Sequence, residues 1–141
     1  MGSLYLLSEE KDQEDFRTKA KYLYKSYFNM RSSRYLDSEG LDYLYLSFTH
    51  GILSPEEEVD PYNTKKIRDS KMWGLLAFSM MQEYLEGKDE IILFYSGNSY
   101  QELEENLKED GKSIIAPIKN FTRVNLKNRW IDYIITESIL N

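Results

Sequence analysis

The sequence contains no cysteine and only one histidine, His50. Without thiols it forms no disulfide framework, and a zinc site has too few of its usual ligands. Three prolines and seven glycines are spread over 141 residues. No Gly/Ser linker, repeat or low-complexity segment divides the chain, which has the usual length of one domain. No apolar run reaches the roughly 18 residues of a membrane span. Glu9, Glu10 and Lys11 interrupt the first apolar run, so no signal peptide is expected. Positive charge is also short: 18 Lys and Arg face 24 Asp and Glu, for a net charge of −6. Such a chain gains little from general attraction to nucleic-acid phosphates. Neither a Walker A sequence nor G-x-G-x-x-G occurs, so no cofactor is read, and no metal site. The expectation is one cytoplasmic domain over residues 1–141.

Hydrophobic residues make up 41% of the chain and charged residues 30%, a globular balance. Leu4 to Leu7 reads as a first strand. Phe16, Ala20, Leu23 and Tyr27 recur at helical spacing. Leu41 to Leu46 reads as a second strand, followed by a long irregular segment from Ser47 to Asn63. Ser54-Pro55-Glu56-Glu57 inside it has the look of a short helical turn. Trp73, Leu76, Ala77, Met80 and Tyr84 mark a helix with Gly87 as its stop. Ile91 to Tyr95 is continuous and apolar, as a central parallel strand is. Ser99-Tyr100-Gln101-Glu102 reads as a capping box for a helix with Tyr100, Leu103 and Leu107 inward. Ser113 to Ala116 is a short fourth strand, and a last helix carries Leu126, Trp130, Tyr133 and Ile134.

Strands alternating with helices predict a three-layer α/β/α domain, Rossmann-like or uracil-DNA-glycosylase-like, with a four-stranded, mainly parallel sheet. Ligands of such sheets bind beyond the carboxyl ends of the strands. Those ends are Ser8 to Lys11, Ser47 to Asn63, Ser96 to Tyr100, and Pro117 to Arg123.

The same loops carry a recognisable series of short motifs. They are Ser8-Glu9-Glu10-Lys11, Ala20 with Leu23 to Phe28, Leu46 to Leu53 with Pro55, and Asp60-Pro61-Tyr62-Asn63. Ser96 to Tyr100 and Ala116-Pro117-Ile118 follow. In order and spacing the chain resembles the DUF6884 family over nearly its whole length. It is distantly similar to the first part of the YaaA-like peroxide-stress proteins. It departs from the family pattern at Asn63, where an acid is usual, and at 120–123, where a Gly-rich turn is usual. The resemblance implies nucleotides, nucleosides or bases as the chemical neighbourhood. Asp60-Pro61-Tyr62 is also similar to the Asp-Pro-Tyr of uracil-DNA glycosylases, though here it follows the second strand.

From the residues, Ser8 and Lys11 suit an anionic group beside a helix N-terminus, or form a solvated cap. His50, after Ser47, is a general base or a loop histidine bonded to the backbone. Asp60 is a carboxylate for N-glycoside cleavage, and Tyr62 a stacking ring or a loop packer. Gly97 permits close backbone approach, Ser99 caps, and Tyr100 is a second ring for a base. Glu9-Glu10 and Glu56-Glu57-Glu58 read as solvated charge runs. Lys119, Arg123, Lys127 and Arg129, with Phe121 and Trp130, are a helix with ordinary charge or a weak nucleic-acid patch.

The expected function is a nucleotide- or nucleoside-binding domain, with His50 and Asp60 as candidate catalytic groups of an N-glycosidase or another base-processing enzyme. Ser8, Lys11, Ser47, Tyr62, Gly97, Ser99 and Tyr100 are the candidate ligand contacts. The alternatives are a non-catalytic phage or mobile-element protein that sequesters a nucleotide signal, and a protein-interaction module.

Overall fold

The computed structural model describes residues 2–140; Met1 and Asn141, the ends of the expected domain, lie outside them. The first strand, β1 (Gly2–Ser8), runs through the middle of a five-stranded sheet. It pairs in parallel with β3 (Asp42–Ser47) on one side and β6 (Lys88–Leu93) on the other. β7 (Ser113–Ile115) adds in parallel beyond β6. The four expected strands are thus present and mutually parallel. A fifth, β4 (Gly51–Leu53), turns back antiparallel on β3 and closes that edge. The order is β4-β3-β1-β6-β7.

The continuous apolar runs follow from this position. A parallel strand covered on both faces has no solvent side, so every other residue serves one layer. Leu4, Leu6, Leu44, Leu46, Ile91 and Leu93 pack on one face with Trp73, Ala77 and Met81 of α3 (Ser70–Leu85). Leu7, Tyr43, Tyr45 and Phe94 pack on the other with Leu36 and Ile131. The latter two belong to α2 (Tyr27–Ser38) and α5 (Val124–Leu140). Helix α4 (Gln101–Glu109) lies beside α3. The three expected layers are α3 and α4, the sheet, and α2 and α5. Among the described residues no helix is long and apolar enough to cross a membrane.

Three local expectations need correction. The helix read from Phe16 to Tyr27 breaks into β2 (Thr18–Lys19), the single turn α1 (Ala20–Leu23) and the start of α2. Tertiary partners remove its first donors: Ala20 N–H bonds Glu57 O and Lys21 N–H bonds Pro55 O. Phe16 is 56% exposed, and Ser26, whose hydroxyl accepts from Asn29 N–H, starts a new helix. β2 pairs with β5 (Glu58–Val59) in a two-stranded ribbon. There Lys19 and Lys21 grip Glu56 at 2.7 Å each and hold its carboxyl at about 2, well below the usual range. Ser54 to Glu57 is a β-turn closed by Glu57 N–H on Ser54 O, not a helical turn. Ser99 does not cap α4; Tyr100 holds that position without a side-chain bond, leaving Ser99 one residue outside.

The α3–α4 crossing depends on Gly74. A Cβ there would lie 3.0 Å from Glu102 Cβ and 3.3 Å from its carbonyl carbon. Gly74→Ala normally favours a helix by up to about 1 kcal/mol. Here overpacking costs about 1–3 kcal/mol, so a net loss of thermal stability is expected. A rise in melting temperature would show that the two helices slide apart freely.

Candidate functional site

The carboxyl ends of β1 and β3 are tied by one side chain. Glu9 N–H bonds Leu46 O at 2.9 Å, which turns the carboxyl back across the strand ends. Its Oε2 accepts from Phe48 N–H at 2.9 Å and its Oε1 from the Tyr62 hydroxyl at 2.7 Å. The Tyr24 hydroxyl lies 2.6 Å from that of Tyr62, and the buried Ser47 Oγ 3.3 Å from it. Ser47 Oγ in turn accepts from Thr49 N–H and His50 N–H. Burial holds the Tyr24 and Tyr62 phenols well above their ordinary range, so both remain protonated donors. Tyr62 is fixed from the backbone too, its N–H bonding Gln13 Oε1 at 3.0 Å.

On the other side of β1, between it and β6, the ends separate into a cleft of about 210 Å³. This is where the strand order reverses. β1 leads by α2 to β3 on one side of it, while the chain returns by α3 to β6 on the other. Connections leaving in opposite directions cannot fill the gap between those two strands, so doubly wound sheets bind ligands there. Ser8, Glu9 and Glu10 form one wall and Phe94, Tyr95 and Ser96 the other. The N-terminal turn of α2 supplies Ser26, Phe28 and Asn29, and α5 supplies Val124 and Lys127.

These groups are held rather than loose. Glu10 Oε1 accepts from Ser26 N–H at 2.7 Å, at the positive end of α2. Asn29, 6% exposed, donates from Nδ2 to Ser8 O. Ser8 Oγ lies 2.6 Å from the Tyr100 hydroxyl. Lys127 Nζ stands 5.4 Å from the centre of the Phe28 ring. Behind Tyr95, its hydroxyl donates to Glu104 Oε2 at 2.9 Å, and Lys119 Nζ lies 3.9 Å from Glu104 Oε1. Burial and the Glu104 charge push the Tyr95 phenol well above its ordinary range. A larger hollow of about 490 Å³ opens by the starts of β3 and β6, around Asp42 and Lys88. It lies away from the strand ends where the polar groups converge.

Of the sequence-read candidates, Ser8 lines the cleft, and Ser47, Tyr62 and His50 belong to the adjoining knot. The His50 ring meets that of Tyr62 edge-on at 4.7 Å. Its Nε2 is buried without a hydrogen-bond partner among the described residues. Tyr100 is covered by Phe48, Trp73 and Tyr95, so its hydroxyl reaches Ser8 but its ring is not free to stack. Asp60 stands apart: its side chain is 73% exposed and paired with Arg17 at 3.0 Å. Lys11 is exposed and outside the cleft lining. Gly97 takes a left-handed φ of 82° and gives its N–H to Lys119 O; Ser99 is exposed.

Glu10, Ser26 and Asn29 are not read from sequence as contacts; Ser96 appears there only within its loop motif and Lys127 only in the basic patch on the last helix. Glu9 and Glu10 read as part of a solvated charge run, yet both are half-buried and bonded. The signal in the sequence is their position directly after an apolar strand, at the end of a parallel sheet where ligands bind. The family model that matches this chain, over residues 4–133, is described as "Family of unknown function (DUF6884)". No curated protein and no solved structure matches it.

Proposed function

The chain belongs to the DUF6884 family, and from the cleft between β1 and β6 we propose that it binds a nucleoside or nucleotide there. The supporting observation is the meeting of Ser8, Glu10, Asn29, Ser96 and Lys127 at the reversal of strand order. Apolar walls from Phe28, Phe94 and Val124 suit a base or the face of a ribose. Ser8, Asn29 and Ser96 supply hydroxyl and amide partners for sugar or base edges. Lys127 replaces Lys11 as the group for a phosphate. A volume near 210 Å³ falls below the roughly 300–1,000 Å³ of drug-sized pockets, which favours one base or nucleoside over a dinucleotide.

The Glu10 carboxyl supports a hydrolytic version of the same reading. Held by Ser26 N–H through one oxygen and lining the cleft, it would stabilise an oxocarbenium-like centre during N-glycoside cleavage. A thermal-shift panel of free bases, nucleosides, nucleotides and cyclic dinucleotides tests the binding. Ligand at about 100 times its dissociation constant adds about 2.7 kcal/mol. The shift should vanish in Lys127→Ala for phosphorylated ligands and persist in Lys11→Ala. A flat panel, or loss in Lys11→Ala alone, would overturn the assignment. Release of free base by the wild type but not by Glu10→Gln would identify the hydrolase.

A further inference from the structure

Helix α3 is apolar on both sides. Trp73, Gly74, Ala77, Met81 and Leu85 are buried against the sheet and α4. The opposite side carries Met72, Leu75 and Leu76, each more than half exposed, and Met80, also exposed. Their spacing of three, four and eight from Met72 places them in one stripe along a helix of 16 residues, roughly 24 Å long. A helix apolar all round is ordinarily covered all round. Isolated exposed leucines are common, but a continuous run of four such residues marks an interaction surface.

Charge around the stripe says what covers it. Before it come Lys65, Lys66, Arg68 and Lys71, all exposed, with Asp69 used as the cap of Met72 N–H. After it come Glu83 and Glu86, also exposed. None of these four cations and two glutamates forms an ion pair among the described residues. Both ends oppose the helix dipole, which favours acids at the start and bases at the end. Such an arrangement is unfavourable alone and favourable against its own reverse. Two copies of α3 laid antiparallel put the basic start of each against the acidic end of the other and oppose the two dipoles.

We propose that a second copy of this chain covers the stripe, giving a two-fold dimer through antiparallel α3 helices. In a two-fold contact, if Lys71 meets Glu83 then Glu83 meets Lys71, so the axis passes at the height of Ala77, midway between them. Met72, Leu75, Leu76 and Met80 straddle that height. The partner's helix also lies beside Gly51, the first residue of the edge strand β4, since Leu76 and Met80 sit over that glycine. This dimer is independent of the ligand proposed for the cleft.

Sedimentation velocity of the whole chain, from micromolar to near-millimolar concentration, tests it. A reversible doubling of the 16.8 kDa mass is expected. Leu75→Glu, at an exposed position, should raise the dissociation constant by at least about tenfold with the fold unchanged by circular dichroism. Lys71→Glu and Glu83→Lys should each weaken it roughly two- to fivefold. The double variant K71E/E83K should recover the wild-type value, because the pair is restored across the axis. A chain that stays monomeric throughout overturns the proposal, as does a dimer indifferent to Leu75→Glu. Charge variants that fail to compensate overturn the antiparallel pairing.

Discussion

Trp73→Ala is expected to lower the unfolding free energy by about 3–5 kcal/mol, the range for removing a large buried aromatic. Trp73 is 4% exposed and lies edge to face with Phe48, ring centres 5.0 Å apart, and 5.3 Å from Tyr100. Its indole N–H donates to Ser47 O at 2.9 Å in a buried setting. Truncation leaves a cavity under the strand ends and strips a buried carbonyl of its partner. Trp73→Phe separates the two effects: it keeps most of the apolar volume and loses the hydrogen bond, so about 1–2 kcal/mol is expected. Urea unfolding with an unchanged denaturant slope is the measurement. A loss below about 1 kcal/mol in Trp73→Ala would mean the site floor collapses without cost, against the enclosure of Trp73 by Phe48 and Tyr100.

Glu9→Ala should cost about 2–4 kcal/mol, because it leaves two donors, Phe48 N–H and the Tyr62 hydroxyl, without their acceptor. Both are half-buried, and an unmade bond to a charged group is dearer than a neutral one. Tyr62→Phe removes the same bond from the other side, together with the contacts to Tyr24 and Ser47. The double variant should therefore be less damaging than the two losses added, with a coupling of about 1–2 kcal/mol. Strict additivity would show that Glu9 and Tyr62 act separately and that the knot is not a unit. Because Glu9 also lines the cleft, any ligand affinity should fall with it.

Much of the fold was legible for one physical reason. A strand in the interior of a parallel sheet contributes side chains to two cores, so Leu4 to Leu7 and Ile91 to Phe94 are apolar throughout. Trp73, Ala77 and Tyr84 kept helical spacing because α3 packs along its length. The failures share a cause as well. Phe16 to Tyr27 has helical spacing, but Glu57 and Pro55, some 35 residues on, accept the backbone donors that a helix there would need. β4 was hidden because three residues, the first of them a glycine, carry no periodicity.

Within the site, sequence found the loops, and the structure sets several of their candidate side chains apart from the cleft. Ser8, Ser47, His50 and Tyr62 do gather at the ends of β1 and β3. Tyr100 carries two readings from sequence, inward on its helix and a ring for stacking; it is buried, enclosed by Phe48 and Trp73, as the first requires. Asp60 is a candidate acid through its Asp-Pro-Tyr sequence, and its ion pair with Arg17, 43 positions away, is not visible there.

Composition and periodicity by themselves determined the α/β class, its four parallel strands and the loops at their carboxyl ends. Those properties are local, set by which faces of each segment must avoid water. Which polar groups share a cleft was decided by the tertiary structure alone. Glu10 meets Ser26, Lys127 meets Phe28, and all four line one cleft with Ser96 only because the chain crosses the sheet in opposite directions around β1. That reversal is a property of strand order, which no stretch of sequence carries within itself.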